Sequence, residues 1–366
     1  MLPSSAPVQA RRQYALFFLL VAGVAAAGAW VGLHRRAAPD VLSAVPEGAW
    51  LVARIDAAAL RASPLVQPLL GAAPGAATVL PGLGPLADAC GFDPLARLDQ
   101  IVVCSPEGGE RGDFGVGFTG QFTREELTRC AETISRARGS APAAITRGEF
   151  TVLEDAAHTR FAYRQGGPFL IGRGAWLDAM IDAVERSGRV AAERPEHAAL
   201  RAALAAKPGE APRAVVITAL LPKAVRERLR AELGAQVSEA GASDRAYASV
   251  LAVASAGFAL GTAGPGSTTD LAVELRCDTE GACADVKTLI ERKRLSLSRD
   301  LGVRLGGIGP LLDSLTIGVQ AGALSATAHA PTDDLARAVK RVLDLRSPPR
   351  DSLRALPKPP APDGGP

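Results

Sequence analysis

The stretch SVLAVASAGFALGTAGPGSTTDLAVEL, residues 249–275, followed by TEGACADVKTLIERKR, residues 279–294, decides the fold. Ser249–Leu260 and Asp270–Leu275 are apolar runs that predict two strands, and the glycine-rich Gly261–Ser267 between them predicts a hairpin loop. Thr279–Arg294 has apolar residues at helical spacing and predicts a helix. A hairpin closed by a helix indicates the α+β class, an antiparallel sheet with helices packed on one face.

Outward from this stretch, the same order of elements is predicted in both parts of the chain. Strands that pair locally are followed by a closing helix, which indicates two similar halves, residues 45–190 and 211–345. In the first half the predicted strands are Trp50–Asp56, Ile101–Cys104, Phe114–Phe122, Phe150–Leu153, Thr159–Tyr163 and Phe169–Ile171, and the predicted helices are 57–62, 64–71, Thr123–Arg138 and Ala175–Arg186. In the second half the remaining elements are the strands Ala214–Leu221, Leu315–Val319 and Ala323–His329 and the helices Pro222–Leu233 and Thr332–Leu345, with a glycine-rich connection at Gly302–Pro310.

An apolar run near the N-terminus predicts a single membrane span. Tyr14–Leu33 carries no charge, and at about 1.5 Å per residue it matches a hydrocarbon core of about 30 Å. Residues 1–13 are then a cytoplasmic head and 34–44 a tether, so that the domain lies in the periplasm, anchored to a bacterial inner membrane. A cleaved signal peptide ending near Ala27-Gly28-Ala29 remains the alternative. At the other end, the proline-rich 346–366 predicts a disordered tail.

The charge distribution argues against nucleic acid as a partner. Of the formal net charge of +3, four positives belong to Arg11, Arg12, Arg35 and Arg36 beside the predicted span, and the tail 346–366 adds a net two. The remainder of the chain therefore carries about −3, whereas a nucleic-acid-binding domain needs a concentrated basic face.

No motif of specific chemistry is present in the sequence. The pattern Gly115-x-Gly117-x-x-Gly120 lies within a predicted strand rather than at its end, so it does not predict a dinucleotide site, and Gly261–Ser267 lacks the lysine of a phosphate loop. His158, His197 and His329 are far apart and are expected at the surface or at strand ends. The sequence therefore predicts no catalytic residue, no metal ligand and no cofactor.

The five cysteines suit an oxidising compartment. Cys277 follows a predicted strand and Cys283 lies in the first turn of the next helix, and a short strand-to-helix turn can bring two Cα atoms within disulfide range. Cys277–Cys283 is therefore the first predicted disulfide. Cys90–Cys130 is a second, although Cys90–Cys104 is an open alternative.

Two short segments carry a resemblance to a known group of proteins. Val45-Pro-Glu-Gly-Ala-Trp50 leading to Leu60-Arg-Ala-Ser-Pro-Leu65, and Cys90-Gly-Phe-Asp-Pro-Leu95 before a strand, resemble uncharacterised envelope proteins of myxobacteria-like genomes that carry an N-terminal anchor. The resemblance covers about residues 45–190. It implies a membrane-anchored envelope address and no particular activity.

The function expected from the sequence is that of a non-enzymatic binding or scaffold domain in the cell envelope, with another envelope protein as partner. The alternative is an envelope hydrolase with a dispersed site between the two halves, in which Asp155, His158 or His329 meets a carboxylate. The sequence leaves the oligomeric state open.

Overall fold

The computed structural model describes residues 40–67, 87–88, 90–107, 113–137, 143–154, 159–186, 189–227, 231 and 249–346. The described residues from Val41 onward belong to one compact unit. The predicted head and span lie outside the described residues, as do residues 347–366 of the predicted tail, Asp155, His158 and the second half of the predicted helix 64–71. None of the helices in the described ranges combines the length and the apolar character that crossing a bilayer requires.

Twelve antiparallel strands of the described chain form one continuous sheet. They are β1 Ala49–Asp56, β2 Leu98–Pro106, β3 Gly115–Gly120, β4 Ala143–Arg147, β5 Phe150–Glu154, β6 Thr159–Tyr163, β7 Phe169–Arg173, β8 Arg213–Leu220, β9 Val253–Gly261, β10 Thr268–Cys277, β11 Thr316–Gln320 and β12 Ala323–Pro331.

The helices of the described residues connect or follow these strands. They are α1 Ala57–Ala62, α2 Pro94–Arg97, α3 Arg124–Ala137, α4 Ala175–Val184, α5 Pro195–Ala203, α6 Glu280–Arg299, α7 Leu301–Leu305, α8 Gly309–Ser314 and α9 Thr332–Arg346, with 3-10 turns at Val41–Ala44 and Ala191–Glu193. Residues 223–227, the described start of the predicted helix Pro222–Leu233, are also helical.

The strand order places the junction of the two predicted halves at the middle of the sheet. It runs β11-β12-β10-β9-β8-β1-β2-β3-β7-β6-β5-β4. β1 pairs with β8 in the register Ala53 to Ile217, so the strands of residues 45–190 and of 211–345 share one hydrogen-bonded ladder. The predicted α+β class with an antiparallel sheet is confirmed.

The prediction that helices pack on one face is wrong, because both faces of the sheet are apolar and both are covered. Val152 and Leu153 are neighbours in β5 and point to opposite faces. Val152 belongs to a buried cluster with Leu177 of α4, while Leu153 belongs to another with Leu127 of α3. Single-face packing would have left one of these side chains in water.

The second part of the sheet is covered in the same two-sided manner. Val273 of β10 packs in a cluster with Val286 of α6. Ala272, the preceding residue, packs in a cluster with Leu204, which caps the C-terminus of α5. α5 lies in the segment between the two predicted halves and was not predicted, and neither were the edge strand β4 and the short helices α7 and α8.

Local sequence explains where α1 begins and how closely β3 packs against α4. Asp56 caps α1, its carboxylate accepting a hydrogen bond from Ala59 N at 2.8 Å. Gly115 lies within β3 and faces α4. A Cβ atom there would collide with Met180 Sδ and lie 2.9 Å from Trp176 Nε1, so the glycine permits close contact between β3 and α4.

Candidate functional site

An apolar cavity of about 380 Å³ lies between α3 and the sheet in the first half. Eighteen described residues line it, and none of them carries a charge. The lining consists of Cys90, Phe92, Pro94, Leu95, Leu98, Ile101, Val116, Phe118, Phe122, Leu127, Cys130, Ala131, Ile134, Ser135, Leu153, Thr159, Phe161 and Ile171.

The floor of the cavity is a row of side chains that crosses four strands. Val116 of β3 is in register with Ile171 of β7, which is in register with Phe161 of β6. Phe161 in turn lies opposite Leu153 of β5. Partners directly opposite one another in antiparallel strands have their Cβ atoms about 5 Å apart on the same face. The sheet therefore provides a continuous apolar surface.

The roof is one face of α3. Leu127, Cys130, Ala131 and Ile134 follow the spacing that places residues on a single helical stripe. The small side chain of Ala131 leaves room in the middle of that stripe. Helix and sheet thus enclose a space that an apolar group can enter.

A capping box fixes the start of α3 and so the position of this roof. Thr123 Oγ1 accepts a hydrogen bond from Glu126 N at 3.2 Å, and Glu126 Oε2 accepts one from Thr123 N at 3.0 Å. The hydrogen bond from Thr123 N, together with Arg97 at 2.8 Å, lowers the pKa of the Glu126 carboxyl below its ordinary value. The same carboxylate links α3 to Arg97 at the end of α2.

Aromatic rings form the wall at one end of the cavity. Phe118 stacks on Phe169 with ring centroids 5.4 Å apart and meets Phe122 edge to face at 6.0 Å. Phe122 contacts Phe92 at 5.8 Å, and the guanidinium of Arg97 lies 4.8 Å from the centroid of Phe92. Contacts of this kind hold large apolar side chains in defined positions.

Both predicted cysteine pairs lie at disulfide distance in the structure. The sulfurs of Cys90 and Cys130 are 2.00 Å apart, so Cys90 pairs with Cys130 rather than with Cys104. Both residues of this pair line the cavity. The sulfurs of Cys277 and Cys283 are 2.03 Å apart, at the junction of β10 and α6. Cys104 is buried, and burial raises the pKa of its thiol to about 11, so it is a poor nucleophile.

His197 lies at the junction of the two halves and is fully buried, contrary to the expectation of a surface position. Its Nε2 is 3.1 Å from the carbonyl oxygen of Ala49 in β1, to which it must donate, and its Nδ1 accepts from the Thr218 hydroxyl of β8 at 2.8 Å. Burial lowers the pKa of this imidazole below its ordinary 6.5. With both nitrogens engaged, His197 ties α5 to the central strands and has no nitrogen free for proton transfer.

Of the three residues named for a dispersed hydrolase site, only His329 lies in the described part of the chain. His329 is exposed on β12, where its register partner is Asp270, and the Asp270 carboxylate accepts a hydrogen bond from Ala211 N at 3.0 Å. Asp155 and His158 lie outside the described residues. Within the described part of the chain, no group of three histidine, cysteine or acidic residues could hold a metal ion.

The cavity could not be predicted from the sequence, because its lining residues come from seven separate elements and match no known motif. The one available signal was the apolar stripe of α3, which predicted a buried face but not a space beneath it. What the arrangement can do chemically is to exclude water from an apolar group; the lining supplies no acid, base or nucleophile of ordinary reactivity.

Comparison with known proteins adds little to this description. No protein-family model matches the sequence, and no curated protein matches it either. Among solved structures, crystal form I of TP0453 is similar with a TM-score of 0.43 and 10% identity, over 84% of this chain and 99% of that chain. At that score the likeness supports no conclusion about activity or ligand.

Proposed function

We propose that this chain is a non-enzymatic binding protein of the cell envelope that holds an acyl chain, or a similarly slim apolar ligand, in the cavity beneath α3. The observation that carries the proposal is an uncharged cavity of about 380 Å³ whose lining is almost wholly apolar. Ligand sites in proteins typically measure about 300–1,000 Å³ and are lined mainly by hydrophobic and aromatic side chains.

The expected affinity is moderate. Each buried methylene contributes about 0.8 kcal/mol, so eight of them give roughly 6 kcal/mol before the cost of ordering the ligand is subtracted. That range suits a protein that takes up and releases its ligand. The absence of a charged side chain from the described lining means that a polar headgroup would remain at the mouth of the cavity.

The address is part of the same proposal. Tyr14–Leu33 would anchor the chain in a bacterial inner membrane, with the folded part in the periplasm and an envelope protein as donor or acceptor of the ligand. Two cysteine pairs at disulfide distance support an oxidising compartment. A carbonate wash of membranes separates the retained anchor from the cleaved signal peptide, which would leave the protein in the soluble fraction.

We further propose that the two halves are related by duplication. In each half three successive antiparallel neighbours, β1-β2-β3 or β8-β9-β10, are followed by a helix, α3 or α6, and then by strands that return to the third strand. The recurrence of this order supports a common origin. The cavity belongs to the half that contains α3.

The experiment is photocrosslinking with a diazirine fatty acid on membranes that carry the full chain, followed by peptide mapping. The label is expected on peptides of α3 and β3. Ala131→Trp places a large ring in the cavity and should remove most of the labelling. Ala137→Trp is the matched control, because Ala137 is exposed on the same helix and does not line the cavity. Equal labelling of both variants would exclude the cavity as the binding site.

A further inference from the structure

We infer that a second, separate surface of this protein docks on an anionic lipid bilayer. The surface comprises the end of α6, the short helix α7 and the turn into α8, residues 292–308, and is here named the tip. Four of the six large apolar side chains that are exposed in the described chain lie within it: Leu295 at 51%, Leu297 at 44%, Leu301 at 73% and Ile308 at 37%.

The closeness of these exposed side chains in the sequence sets the tip apart. Single exposed apolar residues are normal on soluble proteins, whereas a group of them bordered by charged residues marks an interaction surface. The other two, Phe114 and Ile145, lie far from the tip in sequence and far from each other. Fourteen consecutive residues therefore hold most of the exposed large apolar side chains of the described chain.

The backbone of the tip is held by its own hydrogen bonds. Asp300 ends α6, its N–H donating to Leu297 O at 3.1 Å, and begins α7, its carboxylate accepting from Val303 N at 3.1 Å. Gly307 then adopts a positive φ of 87° and approaches α9 so closely that a Cβ atom would lie 3.1 Å from Ala338 Cβ. Leu301 is thus held in an exposed position by a defined turn.

The charge of the tip indicates which kind of surface it binds. Residues 292–308 contain five arginine and lysine residues and one acid, Asp300, which gives a formal net charge of +4, although the rest of the folded part is acidic. One of the five, Arg304, lies 3.9 Å from Asp313. Exposed leucines bordered by basic side chains complement a surface of anionic headgroups over an apolar interior. A second copy of this chain would instead bring one +4 surface against another, which is unfavourable.

The predicted anchor would hold the chain beside a bilayer. Seven residues, 34–40, separate the predicted span from Val41 and reach at most about 25 Å when fully extended. A tethered bilayer is present at high effective concentration, so contacts that are weak in free solution suffice for docking. The inference does not depend on the cavity or on its ligand.

Hydrogen exchange with mass spectrometry tests the inference on the full chain in nanodiscs. Peptides that cover 295–308 should exchange more slowly in discs containing phosphatidylglycerol than in discs of phosphatidylcholine, while peptides of the hairpin Thr316–Pro331 should exchange equally in both. Incorporation into the discs reports on the span and photolabelling reports on the cavity, so failure of either is distinguishable from failure of the tip.

Two charge variants give the matched comparison. Lys293→Gln with Arg299→Gln neutralises two exposed basic residues of the tip, and Lys207→Gln with Lys223→Gln neutralises two exposed lysines elsewhere. The first pair should weaken docking roughly 25-fold, because each basic residue near an anionic surface contributes a factor of about five, and the protection of 295–308 should disappear. The second pair should leave it unchanged. Three results would overturn the inference. They are equal protection in neutral and anionic discs, no protection in either disc, and protection that grows with the number of copies of the protein per disc.

Discussion

Replacement of His197 by alanine should destabilise the folded part strongly, because this side chain joins three elements in the middle of the sheet. The variant loses hydrogen bonds to Ala49 O and Thr218 Oγ1 and leaves both groups buried without that partner. Each unsatisfied polar group costs about 1–3 kcal/mol, and the space left by the fully buried ring adds to this. We expect a total loss of roughly 3–5 kcal/mol in the free energy of unfolding.

The pH dependence of this loss follows from the lowered pKa of His197. The folded state keeps the ring neutral, whereas the unfolded chain protonates it near its ordinary pKa of 6.5. The contribution of His197 is therefore complete above pH 6.5 and declines as the pH falls from there towards the lower pKa of the folded state. The difference in the free energy of unfolding between the wild type and His197→Ala should therefore become smaller as the pH falls over that interval.

The assay is denaturant unfolding followed by the fluorescence of Trp50 and Trp176, at about pH 7.5 and about pH 5. His329→Ala is the matched control, since the His329 side chain is exposed, and it should change stability by less than about 0.5 kcal/mol. A loss below about 1 kcal/mol for His197→Ala, or a difference that is the same at both pH values, would refute the reasoning.

Two further predictions concern a buried carboxyl and the cysteines. Burial raises the pKa of Glu274 above 4.5, so ionisation of this carboxyl opposes folding as the pH rises through and above that value. Glu274→Gln should therefore raise the midpoint of unfolding at pH 7. If the variant is equally more stable below pH 4.5, ionisation of Glu274 is not the cause. For the cysteines, loop lengths predict that loss of Cys277–Cys283 costs about 2 kcal/mol and loss of Cys90–Cys130 about 4 kcal/mol. Non-reducing peptide mapping and unfolding of the paired serine variants measure both, and full alkylation of Cys277 and Cys283 in protein from intact periplasm would show that their bond is absent.

The sequence predicted elements whose signals are local. The hairpin of β9 and β10 and the start of α6 depend on neighbouring residues, and the turn that brings Cys277 to Cys283 follows from the same short range. The two-sided covering of the sheet was missed because Val152 and Leu153 are both apolar, which removes the alternation that distinguishes a buried face from a solvated one. The short helix α7 was missed because the stretch Gly302–Pro310 is rich in glycine.

The candidate site was hidden for a different reason. Residues 191–210 lie between the two predicted halves, and they contain α5 and with it His197, whose two partners lie on strands distant in sequence. The cavity likewise depends on the distance between α3 and the sheet rather than on residue types. Such features arise from long-range packing, which a single sequence does not encode in any local pattern.

The pairing of β1 with β8 also governs how the chain must be made. Ala53 of β1 pairs with Ile217 of β8, which is 164 residues later in the chain. The edge of β1 that pairs with β8 therefore stays unpaired until that residue has been synthesised. At about 5–20 residues per second, synthesis of that interval takes roughly 10–30 s. During this time β1 presents unpaired backbone groups that another nascent chain could pair with. Slow translation initiation and chaperones that bind extended chains should therefore improve the yield of folded protein. Overexpression should increase aggregation through this strand.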